Sequence, residues 1–118
     1  MSQERSSLDS TNLDRTSRGD PVMCLKTYRT GRDLMVAVCD SDLLGRSFQE
    51  GPFQIEVYPE FYGREPATHD EVEKALDRAT IANLVGENSV GCAIRMQCVA
   101  EENVLFIGGV PCAQMIRV

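Results

Sequence analysis

A single histidine, His69, is the first constraint on the chemistry of this chain. A cysteine nucleophile needs a base or a positive neighbour to become a thiolate, so one histidine leaves the usual cysteine–histidine pairing thinly supplied. No apolar run reaches the roughly 18 residues of a membrane span, and the first residues have no apolar signal-peptide core. A soluble, cytoplasmic protein is expected. Basic charge is in deficit, with 12 Lys and Arg against 18 Asp and Glu and a formal charge of −6. Such a chain does not coat nucleic acid or anionic lipid by bulk attraction, because that mode needs a basic surface to displace counterions. Contact of that kind would have to use a local basic patch.

No CxxC pair occurs among the five cysteines, Cys24, Cys39, Cys92, Cys98 and Cys112. An odd count inside mostly apolar segments reads as reduced thiols used as small core side chains, neither a disulfide framework nor a metal site. No metal and no cofactor is expected. The glycine-rich stretch GGVPCAQ lacks the Lys-Ser/Thr ending and the following helix of a phosphate loop, which argues against nucleotide binding on that plan.

The 118 residues, 42% of them hydrophobic, fit one domain with one core. Residues 1–20 are rich in Ser, Thr, Asp and Arg, with only Leu8 and Leu13 as sizeable apolar side chains. They read as a disordered N-terminal extension, with Met23 an alternative start. Residues 21–118 read as a single α+β domain. VMCLKTYR and LMVAVCD, separated by Gly31, fit a hairpin whose second strand, Leu34 to Cys39, is apolar on both faces and so centrally placed. Ser41 to Gly45 fits one helical turn, and FQIEVYP alternates as a half-buried strand carrying Phe53, Ile55 and Val57 on one side. The stretch Pro59 to Ala67 is a loop whose Phe61 and Tyr62 either plug the edge of the core or form a contact surface.

Thr68 and Glu71 make a capping box, so a helix starts at His69. Val72, Ala75, Leu76, Ala79 and Ala82 give it one apolar stripe. With Gly86 as its C-cap and a second helix from about Glu87 to Gln97, the segment predicts a helical pair covering one sheet face. VLFI and MIRV supply the last strands. The expected fold is α+β, in the order βββααββ, with a mixed or antiparallel sheet of about five strands.

MCLKTYRTGRDLMVAVCDSDLLGRSFQEG, ATIANLVGENSV and IGGVPCAQ resemble, in order, the successive blocks of an archaeal family known as domain of unknown function family 424. The resemblance spans about residues 22–118. It implies a compact α+β domain from an archaeal cytoplasm, with no established activity and an association with translation and RNA processing.

Two readings of function follow. The first is a non-catalytic binding module for RNA or a protein of the translation apparatus. It would use Lys26, Tyr28, Arg29 and Arg32 on the hairpin with Arg46, Phe61, Tyr62 and Arg64 from the loops, since cations beside aromatics suit phosphates and bases. Hairpin charge that is merely solvated is the plain alternative. The second reading is a small enzyme or ligand-binding protein with a pocket between the Asp40–Gly45 turn, Asn83 and the Gly108–Gln114 loop. There Asn83, placed on the helical stripe, either ties the helix to that loop or bonds an ordinary backbone carbonyl. Gly108 and Gly109 either expose N–H groups to an anion or form a tight turn between paired strands. Cys39 and Asp40 at a strand end, or Cys112 with His69, are the catalytic candidates. Deleting residues 1–20 is expected to leave the melting temperature within about a degree of the parent, because no packed surface is lost. Scanning calorimetry showing a drop of several degrees would mean that the extension docks.

Overall fold

A computed structural model describes residues 19–117; the expectation for the N-terminal extension lies outside them except for Gly19 and Asp20. The chain opens with two long strands, β1 (Met23–Thr30) and β2 (Asp33–Asp40), paired antiparallel. Gly31 takes φ 58° at their turn, a conformation that a side chain would strain. A 3-10 turn over Ser41–Leu43 leads into a separate two-stranded ribbon, β3 (Ser47–Glu50) with β4 (Phe53–Glu56). Then come a one-turn helix α1 (Pro59–Tyr62), a two-residue strand β5 (Pro66–Ala67), and α2 (His69–Arg78). Strand β6 (Ile81–Val85), helix α3 (Glu87–Arg95), β7 (Leu105–Ile107) and β8 (Val110–Ile116) complete the order. The main sheet runs β5-β1-β2-β6-β8-β7, with β2 and β6 parallel and the other neighbours antiparallel.

The α+β class stands, and both longer helices pack on one face of the sheet, but the element order differs from the expected one. The capping box is formed, with Glu71 N–H donating to Thr68 Oγ1 at 3.2 Å and Thr68 N–H to Glu71 Oε1 at 2.9 Å. The helix it opens stops at Arg78, and residues 81–85 form a strand between β2 and β8. The stop is set from a distance. Thr80 N–H donates to Leu34 O at 2.8 Å, and its hydroxyl accepts from Leu34 N–H at 2.9 Å, which draws the chain into line with β2. The Arg117 guanidinium donates to the carbonyls of Leu76 and Ala79, closing the helix end that Gly86 was expected to cap. Gly86 instead precedes α3 as its N-cap residue.

Two further segments differ. SFQE, unassigned from sequence, is β3, and VPCAQ, taken as part of a loop, belongs to β8. Pro111 is tolerated because the pairing with β6 begins only at Cys112, so no ladder bond is asked of its missing N–H on that side. Phe53, expected inward, is 51% exposed, whereas Val57 is fully buried.

Alternation along the strands builds two cores. Val36, Val38, Ala82, Leu84, Ala113 and Met115 meet Val72, Leu76, Val90 and Ala93 of the helices. On the other face Cys24, Ala37, Cys39 and Val85 are covered by Val57, Tyr62, Phe48 and Ile55 from the ribbon and α1. That is why β2 is apolar at every inner position. Leu76 lies wholly inside the helix-side core while Ile116, at the end of β8, is 71% exposed. Leu76→Ala is therefore expected to cost about 2–5 kcal/mol, and Ile116→Ala no more than about 0.5 kcal/mol, as read from urea midpoints.

Candidate functional site

The ribbon and α1 cover only one end of the second sheet face. At the other end Asn83 of β6 and Gln114 of β8 stand directly opposite one another, and Gln114 Nε2 donates to Asn83 Oδ1 at 2.9 Å. Among the described residues, Asn83 Nδ2 reaches only the Met35 thioether, at 3.7 Å, a weak acceptor. A cavity of about 290 Å³ opens beside the pair, walled by Ile55, Tyr62, Leu105, Cys112 and Asn103. Asn83 thus sits on a central strand, not on a helix, and the structure joins it to Gln114 and Cys112 as one group.

The Asp40–Gly45 turn belongs to a different cavity, also about 290 Å³, formed by Asp40, Asp42, Leu43, Asn88, Gly109 and Pro111. The Asp40 carboxylate is itself 6% exposed and fully engaged. Its Oδ2 accepts from Asn88 N–H at 3.0 Å and Asn88 Nδ2 at 3.2 Å; its Oδ1 accepts from Ser89 N–H at 2.9 Å and Ser89 Oγ at 2.8 Å. A carboxylate from the end of β2 therefore caps the first turn of α3, where orphan N–H groups and the helix dipole favour negative charge. Gly86, at φ 110°, is required there, since a Cβ would lie 2.4 Å from Asp40 Cγ. Nothing in SDLLG or GENS, taken alone, says that these segments meet.

The thiols are arranged for packing. Burial, reinforced by Cys24 and Asp40 nearby, pushes the Cys39 thiol up to about 12. Burial also raises the half-buried Cys112, whose Sγ–H points to Val110 O at 3.6 Å. His69 opens α2 on the helix side of the sheet, so the sheet separates it from Cys112. No disulfide joins any of the five cysteines, and among the described residues no three His, Cys, Asp or Glu side chains converge as a metal site would require. Tyr62, only 6% exposed, is pushed up to about 12 by burial with the Cys39 and Cys112 thiols beside it. Its hydroxyl is neutral at the cavity wall.

The basic and aromatic candidates divide. Lys26 Nζ donates to Glu60 O at 3.0 Å and lies 5.2 Å from the Tyr28 ring centre. Tyr28 OH donates to Phe61 O at 2.6 Å while its ring stacks on Phe61 at 5.6 Å. These contacts fasten α1 to β1, and Phe61 and Tyr62 act as a plug. Arg29, opposite Leu34, points to the other sheet face. Arg32 and Arg64 are exposed, and Arg46 sits over the Phe48 ring at 5.1 Å. Gly108 and Gly109, at φ 58° and 83°, form the two-residue turn between β7 and β8. The Gly108 N–H donates to Glu50 Oε1 at 2.7 Å, so the carboxylate it meets comes from the chain's own ribbon.

Ile55, Leu105 and Asn103 were not singled out from sequence. Their signal was faint: Ile55 is the middle apolar residue of an alternating strand, and Leu105 is the outward member of an apolar run that reads as buried.

Among solved structures the chain is similar to an uncharacterized conserved protein from Methanopyrus kandleri, with 22% identity over 81% of this chain and 94% of that one and a TM-score of 0.66. That likeness establishes the fold. A comparison with curated proteins returned no match. The family model described as protein of unknown function (DUF424) matches residues 28–118. The chain belongs to that family. Among the described residues, no helix is long and apolar enough to cross a membrane.

Two outcomes test this electrostatic arrangement. Asp40→Ala removes an N-cap, normally about 0.5–2 kcal/mol, and leaves the buried Ser89 hydroxyl unpaired, adding about 1–3 kcal/mol; the melting temperature should fall well beyond an ordinary cap deletion. The Cys39 thiol titrates near 9.0 when exposed and about 12 when folded. The unfolded chain loses that proton first, so stability is full below pH 9 and declines as pH rises toward 12. Cys39→Ala should flatten this alkaline decline in urea titrations run across that range.

Proposed function

We propose that the protein is a non-catalytic binding module whose ligand site is the cavity beside Asn83 and Gln114. The observation that carries this reading is the makeup of that cavity. It offers side-chain amides and one neutral hydroxyl against apolar walls, a recognition surface of the kind seen in small-ligand pockets. The Cys112 thiol at the cavity wall is raised by burial, and no His, Asp, Glu or Lys lines the cavity beside it, so covalent chemistry finds little support.

RNA or a translation-associated protein is the partner class that the sequence resemblance implies. Exposed Arg29, Arg32 and Arg64 are the groups left for it, since Lys26 and Tyr28 hold α1 and Tyr62 is inside the core. Geometry favours the cavity because its groups converge, whereas the arginines are spread over two faces and a loop.

The test is a fragment screen on the isotopically labelled full chain, followed by NMR, alongside filter binding of single-stranded RNA at low and moderate salt. Shifts clustering at Asn83, Gln114, Leu105 and Ile55 support the cavity. Salt-sensitive RNA binding that disappears in the Arg29→Ala, Arg32→Ala double variant, with a silent cavity, would move the site to the hairpin.

A further inference from the structure

Asn83 is out of place by the ordinary rules of strand composition. Its neighbours Ile81, Ala82, Leu84 and Val85 are apolar, and β6 has a strand on either side. Asparagine is depleted from such positions because it packs poorly and competes for backbone partners. A local breach of this kind is expected at functional or strained sites.

The hydrogen-bond inventory of the pair says what the breach could serve. Each carboxamide carries two N–H donors and a carbonyl with two lone pairs. The bond between them consumes one N–H of Gln114 and one lone pair of Asn83 Oδ1. The Gln114 carbonyl then makes no hydrogen bond to a described residue, and the Asn83 amide has only a thioether at 3.7 Å. Exchanging oxygen and nitrogen in both side chains gives the same result with the roles reversed. Either way, one residue supplies an acceptor and the other a donor, side by side on neighbouring strands.

The walls narrow the class further. The residues lining this cavity include no Lys, Arg, Asp or Glu, so nothing there would neutralise a phosphate or a carboxylate brought out of water. At about 290 Å³ the space lies at the lower limit of small-molecule sites, enough for a small ring or the end of a side chain. We propose that the cavity recognises a neutral amide, such as a lactam or a primary carboxamide, whose N–H and C=O pair with the free acceptor and donor of Gln114 and Asn83. The inference rests on the cavity being the ligand site, and it names the chemistry recognised there.

The test uses two nearly isosteric probes, 2-pyrrolidinone, which carries both N–H and C=O, and cyclopentanone, which carries C=O alone. Each is titrated into the labelled full chain while the side-chain amide signals of Asn83 and Gln114 and the methyls of Leu105 and Ile55 are followed. The lactam should shift the amide signals and bind about five- to tenfold more tightly than the ketone, the effect of one further hydrogen bond. In Gln114→Leu, which removes the acceptor that the lactam N–H would use, that preference should vanish while ketone binding persists. Asn83→Leu removes the donor to the carbonyl that both probes carry and should weaken lactam and ketone alike; Gln114 lies at an exposed position, so its variant keeps the test open if the central one fails to fold. N-acetylglutamine methylamide, added as a third probe, separates the two sources of such a group. Binding tighter than the lactam assigns the site to a side chain of a protein partner, and equal or weaker binding assigns it to a free small molecule. Equal affinity for lactam and ketone, with shifts confined to the cavity, overturns the amide assignment and leaves the cavity as the site. Silence at all four residues with every probe overturns both.

Discussion

The architecture turns on one carboxylate. Asp40 ends the longest buried strand and, through four hydrogen bonds to Asn88 and Ser89, fixes where α3 begins. The contact joins segments nearly fifty positions apart (|i−j| of 48 and 49), and it holds only because Gly86 presents no side chain to the carboxyl group. A charge this sheltered is tolerable when every lone pair that matters has a donor and a helix dipole adds to the field. Once β2, β6 and α3 share this joint, the apolar stripes of both helices fall on one face of the sheet.

The opposite face is covered by smaller pieces held with polar fasteners. Glu50 ties the ribbon to the β7–β8 turn through the Gly108 N–H, and Lys26 with Tyr28 grips the carbonyls of α1. These attachments stop short of the far end of the sheet. The uncovered remainder is where Asn83 and Gln114 lie, so the cavity exists because the cover is short. Lys26, Tyr28, Phe61 and Tyr62, four of the residues that read from sequence as a basic, aromatic contact surface, form the clasp of that cover.

The legible parts were those governed by local rules. The capping box at Thr68 and Glu71, the turn at Gly31 and the two-faced apolar character of β2 were each decided by neighbouring residues. Strand β6 was misassigned because Ala82 continues the helical stripe that runs to Ala79, and alanine, with no branched side chain, fits helix and strand alike. What ends α2 is the bonding of Thr80 to Leu34 and of Arg117 to the last carbonyls, contacts that no local window contains. The candidate residues divide the same way. Asn83 and Gln114 could each be noticed, but their pairing depends on the β6–β8 register, and Asn83 was placed on the wrong kind of element. Asp40 was noticed as a chemical candidate, and its partners in α3 were beyond the reach of spacing arguments.

The brevity of the outer strands has a bearing on how copies of this protein behave in a crowded solution. The sheet ends on β5, two residues long, and on β7, three residues long. Beyond the reach of β5 the margin of β1 from Thr27 to Thr30 pairs with no strand among the described residues, and Arg29 and Arg32 stand in and beside that gap. Bare strand margins invite pairing with another chain, and like charge at the margin discourages it. Arginines placed there fit that pattern whatever else they contact.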